Sequence, residues 1–174
     1  TYTVELKPGP GLWASVGIEV DSDLSLAGAN VSRGSDRFVI TEVDARYSAD
    51  GRQPLRPAPF GLAYSATTPT IGYPALAAID GDSQTGWGFF GGAGKPFLIL
   101  RFAQPVRTGR DSMLVIRLHQ DSKYRRATIG RFRIALSSGT PLWPDPPTPE
   151  AQNAAAQNAA AQNAAAPNAA APNA

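Results

Sequence analysis

Two carboxylates and a hydroxyl crowd one short stretch, segment 78–87, which reads Ala-Ile-Asp-Gly-Asp-Ser-Gln-Thr-Gly-Trp. Asp80, Asp82 and Thr85 offer side-chain oxygens that suit a hard cation such as calcium, and Gly81 supplies the backbone freedom for a tight turn. The same residues also suit an Asx-turn network that closes the loop on itself, with Trp87 anchoring it in a core. Only two carboxylates are close in sequence here, whereas calcium takes about six to eight oxygens, so the turn-closing reading is the stronger of the two.

Other chemistry is sparse. His119 is the single histidine and sits beside Gln120 and Asp121 on an alternating stretch, a pattern more typical of a strand surface than of a catalytic base. Asp80 and Asp82 are acid/base candidates by type, but their place in one tight turn favours loop formation. Glu5, Glu19, Glu42 and Asp44 fall on expected strands with no sign of a shared site. The H-E-x-x-H, P-loop and G-x-S-x-G patterns are absent, and no nucleophile stands out. With no cysteine, the chain cannot form disulfides, thiolate metal sites or a cysteine nucleophile. A non-catalytic protein without a cofactor is expected, with calcium at Asp80, Asp82 and Thr85 as the one candidate.

The elements that must position these residues read as strands. Short apolar runs, rich in β-branched and aromatic residues, cover 2–6, 15–20, 37–47, 60–66 and 96–102, separated by turn signals such as Pro8-Gly-Pro-Gly11 and Asp50-Gly51. Two later stretches alternate strictly. Leu114, Ile116 and Leu118 share one face, with Val115, Arg117 and His119 opposite. Phe132, Ile134 and Leu136 share another, with Arg131 and Arg133 opposite. A period of two with one polar side predicts antiparallel sheet with one face on a core. Only 74–79 suits a helical turn, and 88–94 reads as a Gly-rich loop. The expected fold is an all-β antiparallel sandwich of jelly-roll type over residues 1–140.

Beyond it the composition changes. Residues 141–150 form a Pro-rich linker, and 151–174 contain only Ala, Asn, Gln and Pro in a repeating pentad. Such a tail cannot build a core. It is expected to act as an arm that lies along a partner. The chain opens on Thr1 without Met, as a processed mature protein or a fragment would. No apolar run approaches the roughly 20 residues of a membrane-spanning helix, so membrane contact is expected to be peripheral or through a partner.

Net charge is only +2, yet nine Arg or Lys lie between Arg101 and Arg133 against Asp111 and Asp121. Lys123, Arg125 and Arg126 mark the densest part and are candidate contacts for an anionic partner: lipid head groups, an acidic protein face or a polyanionic glycan. No nucleic-acid motif accompanies them, so nucleic acid is not expected.

The pattern Ala78, Asp80, Gly81, Thr85 and Trp87 resembles the signature of discoidin-type domains with the galactose-binding-like jelly-roll fold. A wider set resembles the module between the cytochrome and catalytic-like regions of planctomycete-type surface cytochrome proteins. It comprises Thr1-Tyr-Thr-Val4, Arg37-Phe-Val-Ile-Thr-Glu42, Gly72-Tyr-Pro74, Ile79-Asp-Gly81, Thr85-Gly-Trp87 and Ile129-Gly-Arg-Phe-Arg133. The resemblance spans about residues 1–138. It implies the jelly roll and an extracytoplasmic setting of bacterial type, periplasm or cell surface. It also implies calcium near Asp80, completed in relatives by an acidic residue on the last strand. Here that strand, Phe132-Arg-Ile-Ala-Leu-Ser-Ser138, has no carboxylate. Two functions are expected. The first is a scaffold, a membrane-extrinsic subunit bracing a protein assembly, by analogy one for electron transfer. The second is a carbohydrate-binding module of discoidin type, with Trp13, Tyr64, Tyr73, Phe89 and Phe90 as candidate contacts.

Overall fold

A computed structural model describes residues 1–26, 31–52, 54–90 and 95–139. The linker and tail expected beyond residue 140, and the arm role assigned to them, lie outside the described residues, as do residues 91–94 of the expected Gly-rich loop.

Ten strands follow in order: β1 (Tyr2–Leu6), β2 (Gly11–Asp21), β3 (Arg37–Ile40), β4 (Glu42–Ser48), β5 (Arg56–Pro57), β6 (Phe60–Ser65), β7 (Trp87–Phe90), β8 (Phe97–Thr108), β9 (Met113–His119) and β10 (Arg131–Ser137). The only helical element among the described residues is a 3-10 turn at Ala75–Ala78, inside the stretch expected to form one. One sheet has the order β1-β9-β4-β5, the second β10-β2-β8-β6, and β3 pairs with β7 in a two-stranded ribbon. Every pairing is antiparallel. The chain passes back and forth between the two larger sheets, and the all-β antiparallel sandwich expected from the sequence is the fold observed.

Alternation decides the core. Leu114, Ile116 and Leu118 of β9 are wholly buried, and so are Val16, Ile18 and Val20 of β2 and Leu98 and Leu100 of β8. Phe132, Ile134 and Leu136 pack on the same core from the edge strand β10. Their neighbours point outward, where Arg133 Nε donates to Glu19 across the sheet at 2.7 Å.

Three features escape the alternation pattern. Strand β2 begins at Gly11, well before Ser15, because Leu12 and Trp13 pair with Arg107 and Val106. Strand β8 runs through Pro105, which lies where the β2–β8 register shifts between Trp13 and Ser15, a position that tolerates the missing N–H. Residues 88–90, part of the expected Gly-rich loop, instead belong to β7.

Candidate functional site

The 80–85 turn is closed by its own side chains. Gly81 has φ +79°, the left-handed conformation the turn needs. Asp80 accepts the Asp82 N–H on Oδ1 at 2.9 Å and the Thr85 hydroxyl on Oδ2 at 2.7 Å. Asp82 Oδ1 accepts the Gln84 N–H at 2.9 Å. The two backbone N–H bonds are Asx-turn bonds and the Thr85 hydroxyl braces Asp80, so Asp80, Asp82 and Thr85 are brought together in one hydrogen-bonded turn. Among the described residues, no group of three or more His, Asp or Glu side chains is placed to hold a metal ion. We expect Asp80→Ala to lower stability by about 1–3 kcal/mol through the lost turn bonds. Urea denaturation should give the same loss in calcium and in EDTA; a calcium-dependent difference would mean that these oxygens reach a cation.

The turn is tied to β4. Gly81 N–H donates to Glu42 Oε2 at 3.0 Å. Glu42 stands at the head of a polar row that the β4–β9 register creates by setting Glu42 opposite His119 and Asp44 opposite Arg117. Arg117 grips Asp44 with Nε on both oxygens, at 2.9 and 3.0 Å, and Nη2 on Oδ1 at 2.8 Å. His119 Nε2 lies 2.8 Å from Asp44 Oδ2, and its Nδ1 lies 3.3 Å from the Thr1 hydroxyl. Sequence reasoning left Glu42, Asp44 and His119 apart; only strand register unites them. Hydroxyl, imidazole and carboxylate stand in line here. Arg117, however, already neutralises the carboxylate that a proton relay would use to hold an imidazolium.

Two clefts flank this row. The larger, about 350 Å³, is lined by Glu42, Asp44, Arg46 and Arg117 on its polar side and by Pro57, Pro59, Phe60 and Ile79 on its apolar side. It opens where β4 lacks a full partner, since β5 pairs only with Arg46 and Tyr47. The smaller, about 200 Å³, lies between Thr41, Glu42, Gly81, Ser83, His119 and Asp121.

Burial and bonding act oppositely on the two carboxylates. For Asp44, burial pushes the pKa up, but the hydrogen bonds from Arg117 and His119 outweigh it and the carboxyl sits below its ordinary value. For Glu42, burial dominates and the pKa is raised despite the Gly81 N–H. A depressed carboxyl stabilises the fold above its unfolded pKa and loses that stabilisation as pH falls through its folded pKa. A raised one favours the fold more as pH falls through its folded pKa. Asp44→Asn should therefore flatten the acid limb of a stability-against-pH profile, and Glu42→Gln should steepen it. Urea midpoints measured from neutral pH downward check both signs.

At the upper end, where β9 leads into β10, segment 120–130 covers β3: Val39 N–H donates to the Ala127 carbonyl at 3.1 Å. Asp36 holds Arg37 through two bonds of 2.6 and 2.7 Å, and hydrogen bonding from Arg37 draws the Asp36 pKa down to about 2. The guanidinium lies 4.3 Å from the ring centre of Phe90 and 4.9 Å from that of Tyr124. Tyr73 completes the group, with its hydroxyl 3.0 Å from that of Tyr124. Lys123 lies over Tyr124, while Arg125 and Arg126 are exposed. Arg126 adopts φ +62°, unusual for a residue with a side chain, and Ser122 Oγ is buried without a partner among the described residues.

The nine cations of 101–133 do not form one patch. Arg117, Arg131 and Arg133 pair with Asp44, Asp21, Asp23 and Glu19, Arg101 stands within β8 opposite Ser15, Arg107 and Arg110 lie at the opposite end, and Lys123, Arg125 and Arg126 stay together at the upper end. The candidate sugar-contacting aromatics also disperse. Tyr73 and Phe90 share the upper cluster, Phe89 is buried, Tyr64 faces outward from β6, and Trp13 donates to Thr108 at the lower end. Sequence reasoning missed Arg37 and Tyr124 as partners; the adjacent Asp36-Arg37 pair and the Tyr within the basic run were the available signals. Comparison with known proteins finds no matching family model, curated protein or solved structure.

Proposed function

We propose that this domain is a non-catalytic, extracytoplasmic binding module that acts as a membrane-extrinsic subunit and braces a larger protein assembly through its upper loops. One observation carries the reading. Segment 120–128 holds a left-handed Arg126 and presents Lys123, Arg125 and Arg126 beside an aromatic platform locked by Arg37 and Asp36. The faces of Phe90 and Tyr124 are covered by Arg37, which favours a rigid docking surface over a sugar-stacking one. The extracytoplasmic placement and the electron-transfer setting rest on the resemblance to surface cytochrome modules. Replacing Lys123, Arg125 and Arg126 together by Glu should weaken salt-sensitive cross-linking to the neighbouring subunit in native membranes by at least about tenfold. The melting temperature should stay within a few degrees. Unchanged cross-linking would overturn the reading.

Carbohydrate binding is a second reading, favoured by the 350 Å³ cleft. Its two carboxylates and two guanidiniums balance in formal charge and face apolar rings, an arrangement suited to a neutral polyhydroxyl ligand. Neutral-saccharide binding on a glycan array, abolished by Asp44→Asn, would support it; an empty array would remove it.

A further inference from the structure

We propose that the lower end of the sandwich is a peripheral docking surface for an anionic lipid bilayer. This surface uses residues separate from the upper loops. It is made by the turn between β1 and β2, residues 49–52 and 54–56, and the turn between β8 and β9. These three pieces are fastened to one another. Thr108 Oγ1 donates to the Gly9 carbonyl at 2.5 Å, and Trp13 Nε1 donates to Thr108 Oγ1 at 2.9 Å. Ser112 Oγ donates to the Ala49 carbonyl at 2.7 Å and accepts the Gly109 N–H at 2.7 Å. Gly51, at φ +75°, packs so closely on the Asp111 carbonyl that a Cβ would lie 2.5 Å from it.

This base carries Lys7, Arg52, Arg56, Arg107 and Arg110, all exposed. None of the five forms an ion pair among the described residues. The lysine and arginine ion pairs that do occur belong to the upper half: Arg37 with Asp36, Lys95 with Asp21, Arg117 with Asp44, Arg131 with Asp21 and Asp23, and Arg133 with Glu19. The acids nearby are Glu5, Asp50 and Asp111. Asp50 is engaged internally, accepting the Ser48 hydroxyl at 2.7 Å and the Arg52 N–H at 3.1 Å. A cleft of about 340 Å³, lined by Tyr47, Ser48, Asp50, Pro54 and the rim residues Arg52 and Arg56, is roomy enough for a head group. Leu12, 42% exposed, stands opposite Arg107.

A bilayer suits this surface better than an acidic protein does. The cations are spread over three segments rather than gathered into one pocket that would grip a partner's carboxylates, and a smeared surface charge requires only sign and density. Leu12 adds an apolar contact among the charges.

The test is sedimentation of the full chain with phosphatidylcholine vesicles, with and without phosphatidylglycerol. Binding is expected only with phosphatidylglycerol and should fade as salt screens it. Combining Arg52→Gln, Arg56→Gln, Arg107→Gln and Arg110→Gln should weaken it on the order of 100-fold. The same change at Lys123, Arg125 and Arg126 should leave it intact, which separates this proposal from the one for the upper loops. Equal binding to both vesicles, salt-independent binding, or full binding by the fourfold variant would overturn it. Retention on heparin without vesicle binding would also overturn it, by assigning the surface to a soluble polyanion.

Discussion

Trp87→Ala should destabilise the sandwich by about 3–5 kcal/mol, a large part of the stability of a domain this size. Trp87 is wholly buried and is the largest such side chain among the described residues. It meets Phe38 edge-on at 5.3 Å and Phe89 at 5.4 Å, so its removal opens a cavity lined by rings that cannot collapse without leaving their strands. Its Nε1 donates to Ser65 Oγ at 3.1 Å, tying β7 to β6 of the second sheet. Trp87→Phe refills much of the volume but loses that bond, and should cost clearly less than Ala. Urea denaturation followed by circular dichroism measures both. A loss for Trp87→Ala below about 1 kcal/mol would mean that the core repacks far more freely than a close-packed interior allows.

The second large effect is expected from the smallest change. Gly86→Ala should cost about 3 kcal/mol, the upper part of the usual overpacking range. A Cβ at residue 86 would lie 2.6 Å from the Ile40 carbonyl oxygen and 2.8 Å from Val39 Cγ1. The obstacle is backbone of the paired strand β3, which cannot step aside as a side-chain tip would. Gly88 is constrained similarly, 2.9 Å from the Phe38 carbonyl oxygen, so the glycines flanking Trp87 let β7 press against β3. Gly61→Ala is the control. Its Cβ would meet Ala103 at 3.3 Å, and a much smaller loss is expected. A Gly86→Ala protein as stable as the parent would show that the β3–β7 ribbon can separate at little cost.

How much was legible beforehand follows from the range of the interactions involved. Strand faces 114–119 and 131–137 were readable because side chains alternate with a period of two, a local property of extended backbone. The Asp80 turn was readable for the same reason: its bonds span no more than five residues. Strand β7 was not, because three of its four residues, 88–90, read as the start of a Gly-rich loop until β3 is placed beside them. The basic run 123–126 was visible as charge, but its neighbours were not. Arg37 reaches Tyr124 only because segment 120–130 folds back over β3.

The sequence by itself determined the all-β class, the inward faces, the turn at Gly81 and the composition break beyond residue 140. Each depends on residue type and short-range spacing. Tertiary structure alone decided which charges meet. Asp44 and Arg117 are 73 residues apart, and His119 is 75 from Asp44; their contact depends on a strand register that no local pattern specifies. Chain reversal likewise sets Arg107 and Arg110 at one end of the sandwich and Lys123, Arg125 and Arg126 at the other. A strand that turns back carries adjacent sequence to opposite ends of a sheet, so charge density along the chain does not predict charge density in space.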